Sequence, residues 1–358
     1  MISKDYQAEL NELLEAVAKQ NATDLHISVG RYPTLRIDGE LIPLVKRSVI
    51  IPEHAEGLVL SLLDDQQKER FLKEKEIDFS YSYKDKARFR VNVFYQRGYM
   101  SAALRFLPFK IKTLKELNIP LVLERFTHHS QGFFLMVGPS GHGKSTTLAA
   151  LIDLINHTRS DHIVTIEDPI EYLFTQDRCI IDQREVGFDT DGFHRALRSS
   201  FRQDPDVIMV GEMRDLETIS TALSAAETGH LVFATLHTNN AAQTIDRIID
   251  TFPPAAQSQI RAQLAATLVG IVSQRLIPRV DGGRIPAIEV LFANSAIRSL
   301  IREGKIYQIN SVLDTSAEEG MIPLNRSLAD LVHKGEISLE NAELYSLDPG
   351  ELRLLLGK

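Results

Sequence analysis

The first part of the chain alternates between helix-like and strand-like patterns of apolar residues. Apolar positions between Tyr6 and Lys19 are spaced three or four residues apart, which predicts an amphipathic helix. Residues 24–29 alternate as a half-buried strand does, and the pair Asp38-Gly39 separates two short apolar runs as a hairpin turn would. A second helix is predicted around residues 53–71. Further strands are predicted at residues 77–83, 87–94 and 101–106.

This order predicts a small α+β domain over residues 1–107, followed by a linker over residues 108–120. The pattern then changes, because continuous apolar runs alternate with longer helical stretches. These runs are residues 133–137, 163–166, 207–210 and 231–234. Apolar strands that alternate with helices predict a mostly parallel sheet buried on both faces, so residues 121–358 are predicted to form an α/β domain. Its last part is predicted to be mainly helical, with the clearest helices at residues 255–275, 295–303 and 324–333.

Composition narrows the class of protein. The chain has 358 residues, of which 44% are hydrophobic and 25% charged, as in a globular protein. No apolar run approaches the length of a transmembrane helix, and the polar N-terminus does not resemble a secretory signal. The single cysteine, Cys179, excludes an internal disulfide and suits a reducing cytosol. The net charge of -8 argues against nucleic acid as the main ligand.

The clearest chemical motif is a phosphate-binding loop of the form G-x-x-x-x-G-K-S at residues 138–145. It lies between a predicted buried strand and a predicted helix, which is the context that this motif requires. Glycine lets backbone N–H groups converge on phosphate oxygens, and the helix N-terminus adds its positive dipole end. Lys144 would reach the β- and γ-phosphates of ATP, and the Ser145 hydroxyl would bind Mg²⁺. The residues expected to bind the nucleotide are Gly138, Pro139, Ser140, Gly141, His142, Gly143, Lys144, Ser145 and Thr146.

Two acidic positions follow predicted strands and suit a hydrolase. Glu212 comes just after the strand at residues 207–210, where P-loop enzymes hold Mg²⁺ or its waters. Glu167, Asp168 and Glu171 form a second acidic cluster around Pro169, and one of them is a candidate to orient or deprotonate the attacking water. The spacing does not decide which carboxylate is the base.

Histidine and arginine residues provide further candidates. Within residues 228–238, His230 lies at the start of a predicted buried strand and His237 lies just past its end. A histidine at a strand end can contact a phosphate or only satisfy backbone groups, and for His230 the sequence favours neither. Arg88 and Arg90 share one face of a predicted strand, and Arg105 lies on a neighbouring strand. An arginine donated from another domain or subunit can stabilise the transferring phosphoryl group. From the residues alone, a solvated strand face is the simpler interpretation.

Together these motifs resemble the secretion-type ATPase superfamily that powers type II secretion and type IV pili, and the resemblance covers essentially the whole chain. Within this superfamily the C-terminal run at residues 296–305 is similar to the signature of the pilus-retraction subfamily. The chain also lacks the four-cysteine zinc insert and the additional N-terminal domain that are typical of the extension and secretion ATPases. The matching segments are the Walker A motif at 138–145, the acidic box at 166–171, the Walker B motif at 210–215 and the histidine box at 228–238.

The resemblance implies a PAS-like N-terminal domain and a RecA-like ATPase domain, assembled as a homohexamer that uses ATP and Mg²⁺. It implies a cytoplasmic motor at the inner membrane, without a transmembrane segment, that acts through a pilus platform protein and retracts the pilus. The implied catalytic residues are Lys144, Glu171, Glu212, Glu167, His230, Arg90 and Arg105, with Ser145 and Glu212 at the metal. Two positions differ from the family pattern: His142 replaces a serine in the Walker A motif, and Ser299 replaces an asparagine in the C-terminal signature.

Two other functions are weighed against this motor. A nucleic-acid translocase also uses RecA-like rings, but it needs a basic groove or aromatic stacking positions. The chain has no tryptophan and a net negative charge, and it shows no basic-aromatic interleaving. An accessory nucleotide-binding subunit without hydrolysis is the other alternative, and the presence of Glu171 and Glu212 argues against it.

Overall fold

The computed structural model describes residues 5–20, 22–37, 39–83, 87–107 and 111–357. Within this part the chain forms two compact units. The first contains the residues up to 110 together with the short segment Pro169–Leu173. The second contains Ile111–Asp168 and Phe174–Lys358. None of the helices in the described ranges is long and apolar enough to cross a lipid bilayer.

The first unit is an α+β unit with an antiparallel sheet, as the sequence predicts. Its elements are α1 (Tyr6–Lys19), β1 (Asp24–Ile27), β2 (Thr34–Ile37), β3 (Glu40–Pro43), α2 (Pro52–Leu60), α3 (Asp65–Glu74), β4 (Glu76–Tyr83), β5 (Ala87–Gln96) and β6 (Tyr99–Leu107). The strand order is β3-β2-β1-β6-β5-β4, with antiparallel pairing throughout. Strands β2 and β3 form the predicted hairpin; Gly39 has a φ of 88°, and Asp38 lies outside the described residues.

The single helix predicted at residues 53–71 is wrong, because the chain forms two helices there. The Asp64 carboxylate accepts a hydrogen bond from the Gln67 backbone N–H at 2.8 Å. In return, the Gln67 side chain accepts one from the Asp64 N–H at 3.0 Å. This reciprocal pair is a capping box, which satisfies N–H groups that would otherwise lack partners and starts a new helix at Asp65.

The second unit contains the predicted mostly parallel sheet. Its elements are β7 (Gly132–Val137), α4 (Lys144–Thr158), β8 (His162–Glu167), β9 (Ile180–Glu185), α5 (Phe193–Ser200), β10 (Val207–Val210), α6 (Leu216–Glu227), β11 (Leu231–Leu236), α7 (Ala241–Asp250), α8 (Pro254–Thr267), β12 (Leu268–Pro278), β13 (Arg284–Phe292), α9 (Ser295–Glu303), α10 (Ile309–Thr315), α11 (Leu324–His333), α12 (Leu339–Tyr345) and α13 (Pro349–Leu355). The strand order is β13-β12-β7-β11-β10-β8-β9, and β13 alone pairs antiparallel to its neighbour. Strands β7, β10 and β11 are buried along their whole length, which explains their continuous apolar sequences.

Two predictions about this unit need correction. The helix predicted at residues 255–275 ends at Thr267, and residues 268–275 belong to β12. The β-branched residues Val269, Ile271 and Val272 favour a strand, and β12 pairs with a strand on each side. The domain bounds remain a prediction. Within the predicted linker, however, Leu114 and Ile119 are buried in the core of the second unit, so residues 111–120 pack as part of that unit.

Candidate active site

The loop between β7 and α4 has the geometry of a phosphate cradle. Gly138, Gly141 and Gly143 all have positive φ values, of 137°, 76° and 81°. A Cβ atom on Gly138 would lie 2.3 Å from the carbonyl oxygen of Gln274, so only glycine fits there. Gly143, the N-cap of α4, supplies no side-chain acceptor, which leaves the N–H groups of the first helical turn available for an anion. The predicted nucleotide-binding residues thus lie together in this loop and in the first turn of α4.

Lys144 reaches back across this loop. Its side chain is largely buried, and its ammonium group donates hydrogen bonds to the carbonyl oxygens of Gly138 at 2.7 Å and Pro139 at 2.9 Å. The same nitrogen lies 3.4 Å from Nδ1 of His237. Ser145 follows on the exposed side of the first turn. The cation and the hydroxyl that the motif predicts are therefore both present beside the loop.

Glu212 is joined to the loop through His237. Glu212 follows β10, and its Oε1 lies 3.2 Å from Nε2 of His237. If the Lys144 ammonium donates to Nδ1, then His237 carries its proton on Nε2 and donates it to Glu212. Arg214 donates to the other Glu212 oxygen at 2.7 Å, and this hydrogen bond lowers the pKa of Glu212 against the opposing effect of burial. Glu212 is thus ionised at neutral pH, as a group that holds a metal ion or its waters must be.

A cavity of about 390 Å³ adjoins these side chains. Its walls include Glu212, Arg214, His237, Thr238, Asn239 and Arg247. All of these residues belong to the second unit, and they follow or flank the carboxyl ends of β10 and β11. Ligands of open α/β sheets bind at this edge of the sheet.

The structure does not bring His230 to this edge, so the predicted catalytic role of His230 is not supported by its position. His230 precedes β11, whereas His237 follows it, and six strand residues separate them by about 20 Å. The His230 carbonyl accepts a hydrogen bond from Gly132, at the start of β7, while the phosphate loop begins at the end of β7. Sequence reasoning placed His237 at the end of this strand but assigned the catalytic role to His230. The signal was available, because the carboxyl ends of parallel strands meet at one edge of the sheet.

Glu167 shares the edge with Glu212. It ends β8, which is the neighbour of β10, and the Gly211 N–H donates to the Ile166 carbonyl at 2.7 Å. The Glu167 side chain is mostly buried, and its Oε1 accepts hydrogen bonds from Thr165 at 2.7 Å and Gln183 at 3.1 Å. Glu167 is thus held in one orientation beside Gly211.

Glu171 belongs to the other unit. It lies in Pro169–Leu173, which groups with the first unit although the chain on both sides belongs to the second. Ser80 and Arg88 donate hydrogen bonds to the Ile170 carbonyl at 3.1 and 3.2 Å. Arg90 lies 3.9 Å from a Glu171 carboxylate oxygen. The local sequence gives no sign that this part of the acidic box packs with the first unit.

The arginines of the first unit form a row across its sheet. Arg36 is opposite Asp24, Asp24 is opposite Arg105, and Arg105 is opposite Arg90. Residues directly opposite each other on neighbouring antiparallel strands point to the same face. Asp24 accepts a hydrogen bond from Arg105 at 3.0 Å, and it lies 3.9 Å from Arg36. Among the described residues, Asp24 pairs with Arg36 and Arg105, and Glu171 lies nearest to Arg90.

Comparison with known proteins identifies the family. Residues 4–287 match the family described as type II/IV secretion system protein. This span is well over half of the chain, and the chain belongs to this family.

Individual relatives include a pilus ATPase and a twitching motility protein. The chain is 47% identical to the type IV pilus retraction ATPase PilT of Pseudomonas aeruginosa, over 93% of this chain and 97% of that protein. It is 45% identical to a twitching motility protein of Neisseria gonorrhoeae, over 87% of this chain and 83% of that protein. The crystal structure of the pilus retraction motor PilT with bound ADP matches with a TM-score of 0.91 and 47% identity, over 96% of this chain and 98% of that one. The predicted fold class and family are thereby confirmed.

The two histidines of the histidine box provide a matched pair of variants. We expect His237→Ala to lower the rate of ATP hydrolysis by about tenfold or more. The variant loses the contacts of His237 with Lys144 and Glu212, and hydrogen bonds to charged groups contribute about 1.5–3 kcal/mol. His230→Ala should leave turnover within about twofold of the wild type. Steady-state ATPase assays on proteins with matched thermal unfolding midpoints test this. Equal losses in the two variants would show that the contact of His237 with Lys144 and Glu212 has no special role.

Proposed function

We propose that this protein is a P-loop ATPase that binds Mg·ATP at residues 138–146 and works as a ring-shaped motor for type IV pilus retraction. The observation that carries the proposal is the connection of Lys144, His237 and Glu212 at one edge of the parallel sheet. It joins the phosphate loop to an ionised carboxylate, as ATP hydrolysis requires. Relatives named for pilus retraction and twitching motility support the motor role.

The residues of the second unit suit Mg·ATP. The glycine loop and the uncapped first turn of α4 would hold the phosphates through backbone N–H groups. Lys144 would exchange its hydrogen bonds with loop carbonyls for bonds to the β- and γ-phosphates. The Ser145 hydroxyl and the ionised Glu212 would hold the metal or its waters. Bound Mg²⁺ supplies neutralisation of the charge that develops on the phosphates.

The remaining carboxylates are assigned by how firmly each is held. Glu167 accepts two hydrogen bonds on one oxygen, which suits a carboxylate with a fixed positioning role. Glu171 is paired more loosely, at 3.9 Å from Arg90, and it matches the catalytic glutamate of the family. We therefore assign Glu171 as the base that activates the attacking water.

The arginine row suggests why a ring is needed. Arg105 is exposed and Arg90 is half-buried, and they lie opposite each other on neighbouring strands of the first unit. In a homohexamer they would approach the γ-phosphate bound by a neighbouring subunit and stabilise the transition state. Turnover would then require contact between subunits, which is how a ring coordinates its steps.

The proposed setting is the cytoplasmic face of the inner membrane. There the ring would act on an inner-membrane platform protein, so that ATP turnover removes subunits from the base of the pilus. Association with the membrane would be peripheral and would occur through this partner. No nucleic acid is needed as a substrate, and the relatives reported above are pilus proteins.

The first prediction concerns ATP hydrolysis. Lys144→Ala should abolish both nucleotide binding and turnover, because the cation that compensates the phosphate charge is lost. Glu212→Ala should reduce turnover by about a hundredfold or more while weakening binding far less, because its carboxylate acts on the metal and water. Titration of a fluorescent ATP analogue and phosphate-release assays separate the two effects. Turnover at the wild-type level in Lys144→Ala would refute the assignment of the phosphate loop.

The second prediction concerns arginine action between subunits. Arg90→Ala should lower turnover by about tenfold or more, because arginines that act on a transferring phosphate contribute large factors. Coexpression of Arg90→Ala with Lys144→Ala should restore part of the activity, since one subunit then supplies the arginine and its neighbour the phosphate loop. Arg36→Ala, from the same row, is the matched control and should stay within about twofold of the wild type. Mixed rings as inactive as their parents would place Arg90 on the nucleotide of its own subunit.

The third prediction concerns the cell. Deletion of the gene should stop twitching while surface fibres accumulate, because pilus assembly continues without retraction. Electron microscopy of surface fibres and stab-agar motility assays provide the measurement. Complementation with the Lys144→Ala variant should leave both defects in place. Too few fibres in the deletion strain would instead indicate a motor that extends the pilus.

A further inference from the structure

The strand that supports the phosphate loop runs beyond the end of its partner. Strand β12 pairs in parallel with β7 as far as Ser273, which is opposite Val137, the last residue of β7. Strand β12 then continues to Pro278, while the chain after Val137 turns into the phosphate loop. The backbone of β12 beyond Ser273 therefore needs partners other than a strand on this side.

The loop supplies these partners through one residue, His142. The Leu276 backbone N–H donates a hydrogen bond to Nδ1 of His142 at 2.9 Å. The side chain of Gln274 donates to the His142 carbonyl at 2.8 Å, and its other end accepts a hydrogen bond from Thr147 in α4 at 2.8 Å. The imidazole ring thus takes the place of the missing strand, and it ties the tip of the loop to the sheet.

We propose that the His142 side chain is a positioning residue that holds the phosphate loop in its binding conformation through the Leu276 N–H. The proposal deepens the proposed function and rests on it, because it concerns the same nucleotide site. A loop that is already fixed loses less conformational entropy when a phosphate binds, so the contact should strengthen nucleotide binding more than it affects hydrolysis.

The surroundings of His142 favour the form that accepts this hydrogen bond. Nδ1 accepts a hydrogen bond only when the ring is neutral and carries its hydrogen on Nε2. Arg284 approaches from β13, with its guanidinium 3.4 Å from the Gly141 carbonyl; Arg275 lies on β12 and Lys144 on α4. Tyr345 belongs to α12, and the centroid of its ring lies 6.3 Å from that of the His142 imidazole. Burial, followed by the charges of Arg284, Arg275 and Lys144, lowers the pKa of His142 below its ordinary value.

Protonation should therefore release the contact only in acid. Because the pKa of His142 is lowered, the neutral ring predominates at pH 7 and above. As the pH falls below the ordinary pKa of histidine, a second proton binds to the ring at Nδ1. Nδ1 can then no longer accept the hydrogen bond from the Leu276 N–H. Nucleotide affinity should then decrease with decreasing pH by more than the protonation of ATP itself explains.

The test compares His142→Ala with His142→Asn in the full chain. The Asn side chain places its carbonyl oxygen where Nδ1 lies, so it can accept the same hydrogen bond without a group that titrates. For His142→Ala we expect the Kd for Mg·ATP and the KM to rise about three- to tenfold, with kcat within about twofold of the wild type. His142→Asn should recover most of this loss. Fluorescent-nucleotide titrations and ATPase assays at pH 8 give these values.

Measurement of the Kd as a function of pH tests the hydrogen bond itself, because a residue that only fills space would give no pH dependence. As the pH is lowered from 8 to 5.5, the ratio of the wild-type Kd to the His142→Asn Kd should rise, because only the wild type loses its hydrogen-bond acceptor. Protonation of ATP affects both Kd values equally and therefore does not change this ratio. Wild-type binding in His142→Ala, His142→Asn as weak as His142→Ala at matched thermal stability, or a ratio independent of pH would each overturn the proposal. A wild-type protein that neither binds nor hydrolyses ATP would instead contradict the proposed function.

Discussion

The chain of contacts from Lys144 through His237 to Glu212 is the interaction on which the candidate site depends. It forms because β7 and β11 are parallel neighbours that end at the same level, with Val137 opposite Leu236. One strand leads into the phosphate loop and the other into His237, so the two segments meet without any long side-chain reach. Glu212 joins them from β10, the next strand along the sheet. A displacement of one of these three side chains therefore alters the contacts of its neighbour.

In the proposed function, this arrangement would link bound phosphates to the carboxylate of Glu212. The Lys144 ammonium holds loop carbonyls and lies next to His237. When Lys144 turns to a phosphate, His237 loses a donor on one ring nitrogen while the other still faces Glu212.

Sequence reasoning predicted the site where local pattern decides the structure. The glycines around Lys144, the flanking strand and helix, and the acidic Glu212 are all fixed by short motifs. It failed where distant pairing decides. The predicted helix runs on through residues 268–275, although Val269, Ile271 and Val272 favour a strand, and the pairing of β12 with β7 and β13 fixes this segment as one. His230 and His237 are likewise the same residue type at the two ends of one strand. The direction of β11, parallel to β7, decides that His237 is the one at the end that carries the phosphate loop.

The segment Pro169–Leu173 has a consequence for how this protein can be dissected. The chain enters the first unit a second time there, so the two units are connected by three crossings of the backbone instead of one. A fragment that begins near residue 111 would carry this segment without Ser80 and Arg88, which bind the Ile170 carbonyl. Truncation would thus detach the Glu171 carboxylate from its support along with the N-terminal sheet. A fragment of the second unit alone would therefore keep residues 166–171 but lose the contacts that Ser80 and Arg88 make with the Ile170 carbonyl.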